Sequence, residues 1–117
     1  GRFCYKASCY ESTRQLVDRL NLEEDKYTTS FQSRLSNNWM TPFTDKTLDS
    51  LAKRGIKRVL VVAPSFTADC LETTDEIGHE YKKAFLNAGG QELTLVESLN
   101  ADDLWVDALK KIVAIYL

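Results

Sequence analysis

The chain has 117 residues, 44% apolar and 27% charged, which fits a single domain able to bury roughly two-thirds of its unfolded surface without a disulfide or structural metal. Fifteen basic against seventeen acidic residues leave a net charge of −2, with no basic patch for a phosphate backbone, so no nucleic-acid partner is expected. The longest apolar runs, 59–64 and 112–117, fall far short of the ~20 residues of a membrane span, and no charged-then-apolar leader opens the chain.

Taken in chain order, residues 4–20 carry Tyr5, Leu16, Val17 and Leu20 at helical spacing, and Asn21 is a natural stop, which predicts a first helix. Cys4 and Cys9 lie in it, and with Cys70 they make an odd number without Cys-x-x-Cys spacing. The expectation is a soluble, cytoplasmic protein with neither a disulfide framework nor a zinc ribbon. Residues 27–33 are rich in aromatic and β-branched side chains and predict strand one, whereas 34–43, with Ser36-Asn37-Asn38, Trp39 and Pro42, read as a loop. Thr44 is the expected cap of a second helix with Asp45 in its first turn, Leu48 and Leu51 on one face, Lys53-Arg54 at its end and Gly55 beyond.

The continuous apolar run 58–64 predicts a central strand covered by helices on both faces. Asp69 is expected to open a long helix to about Asn87, ended by Ala88-Gly89-Gly90, and Leu93-Thr94-Leu95-Val96 forms a third strand before a final helix after Asn100. Such alternation predicts a doubly wound α/β fold, a parallel sheet flanked by helices. A chain that starts in a helix and supplies three strands reads as part of something larger.

Ligands of open α/β sheets gather at the carboxyl ends of the strands, which points to Gln32-Ser33-Arg34, to residues 64–69 and to Ser98-Leu99-Asn100. No glycine-rich phosphate cradle and no Gly-x-Ser-x-Gly elbow occurs, which argues against a dinucleotide, NTP or serine-hydrolase site. On the long helix Glu72, Glu76 and Glu80 share one face with Asp69, Asp75 and His79 close by, while Ile77, Tyr81, Ala84, Phe85 and Ala88, flanked by Leu71, form the apolar side. The acidic face suits either passage of a divalent cation with general-base chemistry or plain solvation. Trp39 and Phe66 can stack on a flat ligand or plug the core. Cys70 is either a thiolate ligand or a small buried residue.

Four stretches are similar, in order and spacing, to the C-terminal half of ferrochelatases. They are Phe31-Gln32-Ser33-Arg34, Trp39-Met40-Thr41-Pro42, residues 64–73 (Pro-Ser-Phe-Thr-Ala-Asp-Cys-Leu-Glu-Thr) and Glu97-Ser98-Leu99-Asn100, with Cys-Tyr-Glu-Ser-Thr at 9–13 adding to them. The resemblance implies haem biosynthesis, with ferrous iron as substrate metal inserted into a porphyrin between two similar α/β halves. Residues 1–117 would be the C-terminal domain and the N-terminal domain its missing partner. By the same resemblance Glu72 is the active-site glutamate, Glu72, Glu76 and Glu80 line a metal path, and Trp39 and Phe66 border the porphyrin. The family's Ser-x-His-x-x-Pro histidine would precede Gly1, so His79 is not that residue and the isolated domain is expected to be inactive. Cys70 stands where many relatives carry histidine, and Gly78 where they carry an acid. Residues 113–117 hold no cysteine, so no iron–sulfur cluster is expected. The alternatives are a cobalt or sirohydrochlorin chelatase, and a non-enzymatic α/β module binding metal or protein.

Overall fold

Capping and burial periodicity divide the described residues into four α-helices, a short 3₁₀ turn at Glu24–Lys26, a run of π-helix and two strands. The computed structural model describes residues 4–117. Helix α1, Tyr5–Leu20, ends where Asn21 turns left-handed at φ 56° and donates its N–H to the Asp18 carbonyl. Its surface is tied by Arg14, which bridges Glu11 at 2.7 Å and Asp18 at 2.9 Å. The side facing the rest of the chain is Lys6, Cys9, Thr13 and Val17, not the expected Tyr5, Leu16 and Leu20, which stay exposed. Polar and aromatic contacts seat it instead. Thr29 donates to the Thr13 hydroxyl at 3.2 Å, Tyr10 meets the Phe31 ring edge-on at 6.0 Å, and Lys6 lies over that ring at 5.7 Å.

Residues 27–33 do not form the expected strand; Phe31 alone pairs, in parallel with Phe43. Pleat-forming composition makes a strand only where a neighbour offers a row of donors and acceptors. Here Phe31 donates to the Pro42 carbonyl and accepts from the Thr44 N–H, both at 2.9 Å, and Ser33 then turns away at φ 57°. Helix α2, Thr44–Lys53, is capped from Phe43 without a side-chain bond. The expected cap, Thr44, is buried, its hydroxyl 2.8 Å from that of Ser30. Gly55 releases the chain from α2 at φ 89°, a conformation a side chain resists.

Strand β1, Arg58–Val61, pairs in parallel with β2, Glu92–Leu95, from Arg58 opposite Glu92 to Val61 opposite Leu95. The parallel α/β class holds, with two strands rather than three. Alternation along β1 and β2 turns Val59, Val61, Leu93 and Leu95 onto a core shared with Leu48, Ala52, Ile77 and Phe85. Fully burying a side chain such as Phe85, Ile77 or Leu93 contributes about 1.5–3 kcal/mol. The opposite face, with Leu60 at 66% and Val62 at 44%, is exposed, so the central strand is covered on one side, not two.

Between the strands the chain is helical from Leu71. A π-helical run, Glu72–Tyr81, passes directly into α3, Lys82–Asn87. Helix α4, Asp103–Ala114, follows an Asp102 carboxylate that accepts from the N–H groups of Leu104 and Trp105. Among the described residues no helix is long and apolar enough to cross a membrane.

Candidate active site

The π-helical run changes how the acidic face is laid out. Its i→i+5 bonding takes roughly one residue more per turn than an α-helix, so a step of four residues stops just short of a full turn instead of passing it. Glu72, Glu76 and Glu80 still form a row, slanted the other way. Ile77 and Phe85 are buried as expected, and Thr73, not an expected core residue, is 1% exposed. Leu71 and Ala84 leave the apolar side for solvent.

Asp69 does not cap the helix; it braces the two loops at the carboxyl ends of the strands. Its N–H donates to Asn100 Oδ1 at 2.9 Å, and Asn100 Nδ2 donates back to Oδ2 at 3.0 Å. Its Oδ1 also accepts from the Ser98 N–H at 3.2 Å and the Thr73 hydroxyl at 3.1 Å. The Asn100 amide first, then the Ser98 N–H, hold the Asp69 carboxyl below its ordinary value. The chain at Asn100, left-handed at φ 50°, closes the brace by donating to the Thr67 carbonyl at 2.8 Å.

Glu72 follows this brace, exposed, its carboxyl pulled down first by a hydrogen bond from the Cys70 side chain and then by its own backbone N–H. Glu76 is half-buried and gathers donors: Gln32 Nε2 at 3.0 Å, the Ser33 N–H at 2.9 Å and the Ser33 hydroxyl at 3.2 Å all reach Oε1. Gln32 Nε2 also donates to the Glu72 carbonyl at 2.7 Å, and the Gln32 carbonyl accepts from Trp39 Nε1 at 2.9 Å. A cleft of about 200 Å³ opens beside them, lined by Phe31, Ser33, Arg34, Asp45, Glu76, Glu80 and Tyr81. Burial, then the Glu76 charge, pushes the Tyr81 phenol up to about 12, so it stays protonated there.

The expected residues are thus partly assembled. Glu76 and Glu80 share one cleft, and Glu72 precedes them by four residues on the same run, while Trp39 is linked to that run through Gln32. Phe66 is half-buried in the loop after β1. Among the described residues no three His, Cys, Asp or Glu side chains converge as a ligand set, so the glutamates make a row rather than a cage. His79 opens instead onto a shallower cleft with Gly78, Lys82, Lys83, Leu86 and Asn87, and Asp69 is committed to the loops, so the expected arc of six titratable groups is divided. Gln32, Ser33, Thr73, Asp45 and Tyr81 were not expected as site residues. The first two lie in a stretch flagged by its place at a strand end, but nothing in a Gln-Ser pair announces which carboxylate it will hold.

These features define a parallel α/β domain whose loop after β1 launches an acidic helical run. The family profile described as Ferrochelatase matches residues 2–116. Similar curated proteins are ferrochelatases of Coxiella burnetii (strain Dugway 5J108-111), 47% identical over 109 residues and 92% of this chain, and of Pseudomonas fluorescens (strain Pf0-1), 47% identical over 107 residues and 91% of the chain. A ferrochelatase of Herminiimonas arsenicoxydans is 45% identical over 114 residues, 97% of the chain. The chain belongs to the ferrochelatase family. It spans 31% of the length of each of these relatives.

Proposed function

We propose that this chain is the C-terminal α/β domain of a cytoplasmic ferrochelatase, a lyase of haem biosynthesis, and that it carries the glutamate side of the site where ferrous iron enters a porphyrin. The observation that carries the reading is the position of Glu72, the first carboxylate of a helical row, exposed directly after a braced strand-end loop. Insertion exchanges two pyrrole protons for one divalent cation, so the site needs a route for a metal and an acceptor for protons. In this reading Glu72 takes one of the two ring protons and the histidine side of the cleft takes the other, while Glu80, Glu76 and Glu72 pass iron, the substrate metal, along the helix as a succession of weak oxygen sites. Trp39 and Phe66 supply flat apolar walls for the macrocycle. The remainder of the enzyme, including the histidine side, is the partner that completes the cleft.

The test is Glu72→Gln in the full-length enzyme. A positioned base contributes about 10²–10⁴-fold, so turnover is expected to fall by about a hundredfold or more, while the thermal midpoint stays near that of the parent, because an exposed carboxylate adds little to folding. Parallel losses of turnover and stability would refute the assignment.

A further inference from the structure

Glu76 is the most heavily bonded carboxylate of the row. Three donors from Gln32 and Ser33 converge on Oε1, and the Ser33 hydroxyl also lies 3.4 Å from Oε2. Among the described residues the ion pairs do not include Glu76, so its charge is met by the dipoles of the Gln32–Ser33 loop and by the Tyr81 hydroxyl beside it. That loop is strained: Ser33 sits at φ 57° without being glycine, a conformation that persists where surrounding contacts enforce it. The enforcing contact is the Glu76 carboxylate, which takes both the Ser33 N–H and its hydroxyl. The next link is Gln32, whose side chain binds Glu76 and the Glu72 carbonyl and whose own carbonyl orients the Trp39 indole at 2.9 Å.

We infer that Glu76 is a positioning residue for the ring as well as a member of the metal row: by holding Gln32 and Ser33 it fixes Trp39, so that the acidic helix and the aromatic wall are set as one unit. The two jobs use different oxygens, Oε1 for the loop and Oε2 for a passing cation. The inference rests on the proposed function, since it takes Trp39 to be a wall of the porphyrin pocket, and its test must not depend on metal.

The experiment is a fluorescence-quenching titration of the full-length enzyme with metal-free deuteroporphyrin, beside steady-state metal insertion. Glu76→Gln keeps an acceptor where Oε1 stands and loses the charge, so metal-free porphyrin affinity is expected to stay within about threefold of the parent while kcat falls. Glu76→Leu removes the acceptor and is expected to weaken metal-free binding about tenfold, with a matching rise in the porphyrin KM, the scale of one lost hydrogen-bond anchor. Gln32→Leu leaves the Glu76 charge in place and breaks the link, and is expected to weaken porphyrin binding as Glu76→Leu does. It decides alone if Glu76→Leu fails to fold. Leucine variants that bind porphyrin as tightly as the parent, or a Glu76→Gln variant as weak as Glu76→Leu, overturn the positioning role. A parent enzyme that binds no porphyrin overturns the functional reading beneath it.

Discussion

Thr73 tests whether the brace before Glu72 is held by hydrogen bonding or by simple packing. It is 1% exposed, and its hydroxyl accepts from the Cys70 N–H at 3.0 Å and donates to Asp69 Oδ1 at 3.1 Å or the Cys70 carbonyl at 3.0 Å. That carbonyl already takes the Thr73 and Thr74 N–H groups and the Thr74 hydroxyl, which leaves Asp69 as the better destination for the proton. Thr73→Val preserves shape and deletes both bonds, one of them leaving the Cys70 N–H without its side-chain partner. At about 1 kcal/mol for each bond, with a further penalty for the stranded donor, the loss is about 2–3 kcal/mol. With a urea slope of about 2 kcal/mol/M, the unfolding midpoint should fall by about 1–1.5 M. Thr73→Ser keeps the hydroxyl and removes one buried methyl, about 1 kcal/mol, or roughly half a molar. Urea unfolding of the two variants beside the parent is the assay. A serine variant at least as unstable as the valine variant would show that the methyl, not the hydroxyl, is what the site requires.

Gly90→Ala should destabilise by about 1–3 kcal/mol through overpacking, because an ideal Cβ would stand 2.6 Å from Phe85 Cζ, and nearer still to Cδ2 and Cε2, against a ring that is 0% exposed. Gly78→Ala is the control, its nearest atoms lying at 3.5 Å; thermal melts of equal midpoint for the two variants would contradict the clash. Asp69, held below its ordinary 3.8 by Asn100 and the Ser98 N–H, contributes stability that is present above about pH 4 and fades as pH drops toward its depressed folded value. Asp69→Asn should therefore flatten that part of an acid unfolding curve, and an unchanged slope would remove Asp69 from the brace.

The elements legible in the sequence are those whose signals are local. Asn21 closing α1, Gly55 beyond α2, and Ile77 and Phe85 on the inner side of the long helix all follow from capping chemistry or periodicity within one segment. The errors arise where a distant partner decides. Residues 27–33 have strand composition, yet Phe31 finds only the Phe43 neighbourhood to pair with. Thr44 has the chemistry of a cap and is drawn instead to Ser30, and Asp69 has the chemistry of a helix opener and is drawn to Asn100 across the loops. In the site, the row of glutamates was readable because π and α turns both return to nearly the same face after four residues. The Gln32–Ser33 grip on Glu76 was not, since it joins positions more than forty apart in sequence through a backbone turn that serine does not advertise.

If the proposed function holds, the environment of Glu72 suits a base that becomes effective only when the ring is seated. In the chain as it stands Glu72 is exposed and its carboxyl is pulled down by Cys70 and by its own N–H, so it begins ionised, and a solvated carboxylate of low pKa is a weak proton acceptor. Burial disfavours the charged form and raises a carboxyl pKa. A macrocycle laid against Trp39 and Phe66 would strip water from Glu72 while bringing pyrrole N–H groups to it, raising its proton affinity at the moment a proton is offered. Glu80, farther along the row, is exposed, and in the same proposal its water would leave it the weak, exchangeable oxygen ligation that a passing cation needs. On the proposed function, a gradient from solvated Glu80 through dipole-held Glu76 to a Glu72 covered by the ring would divide delivery of metal from removal of protons along a single helical run.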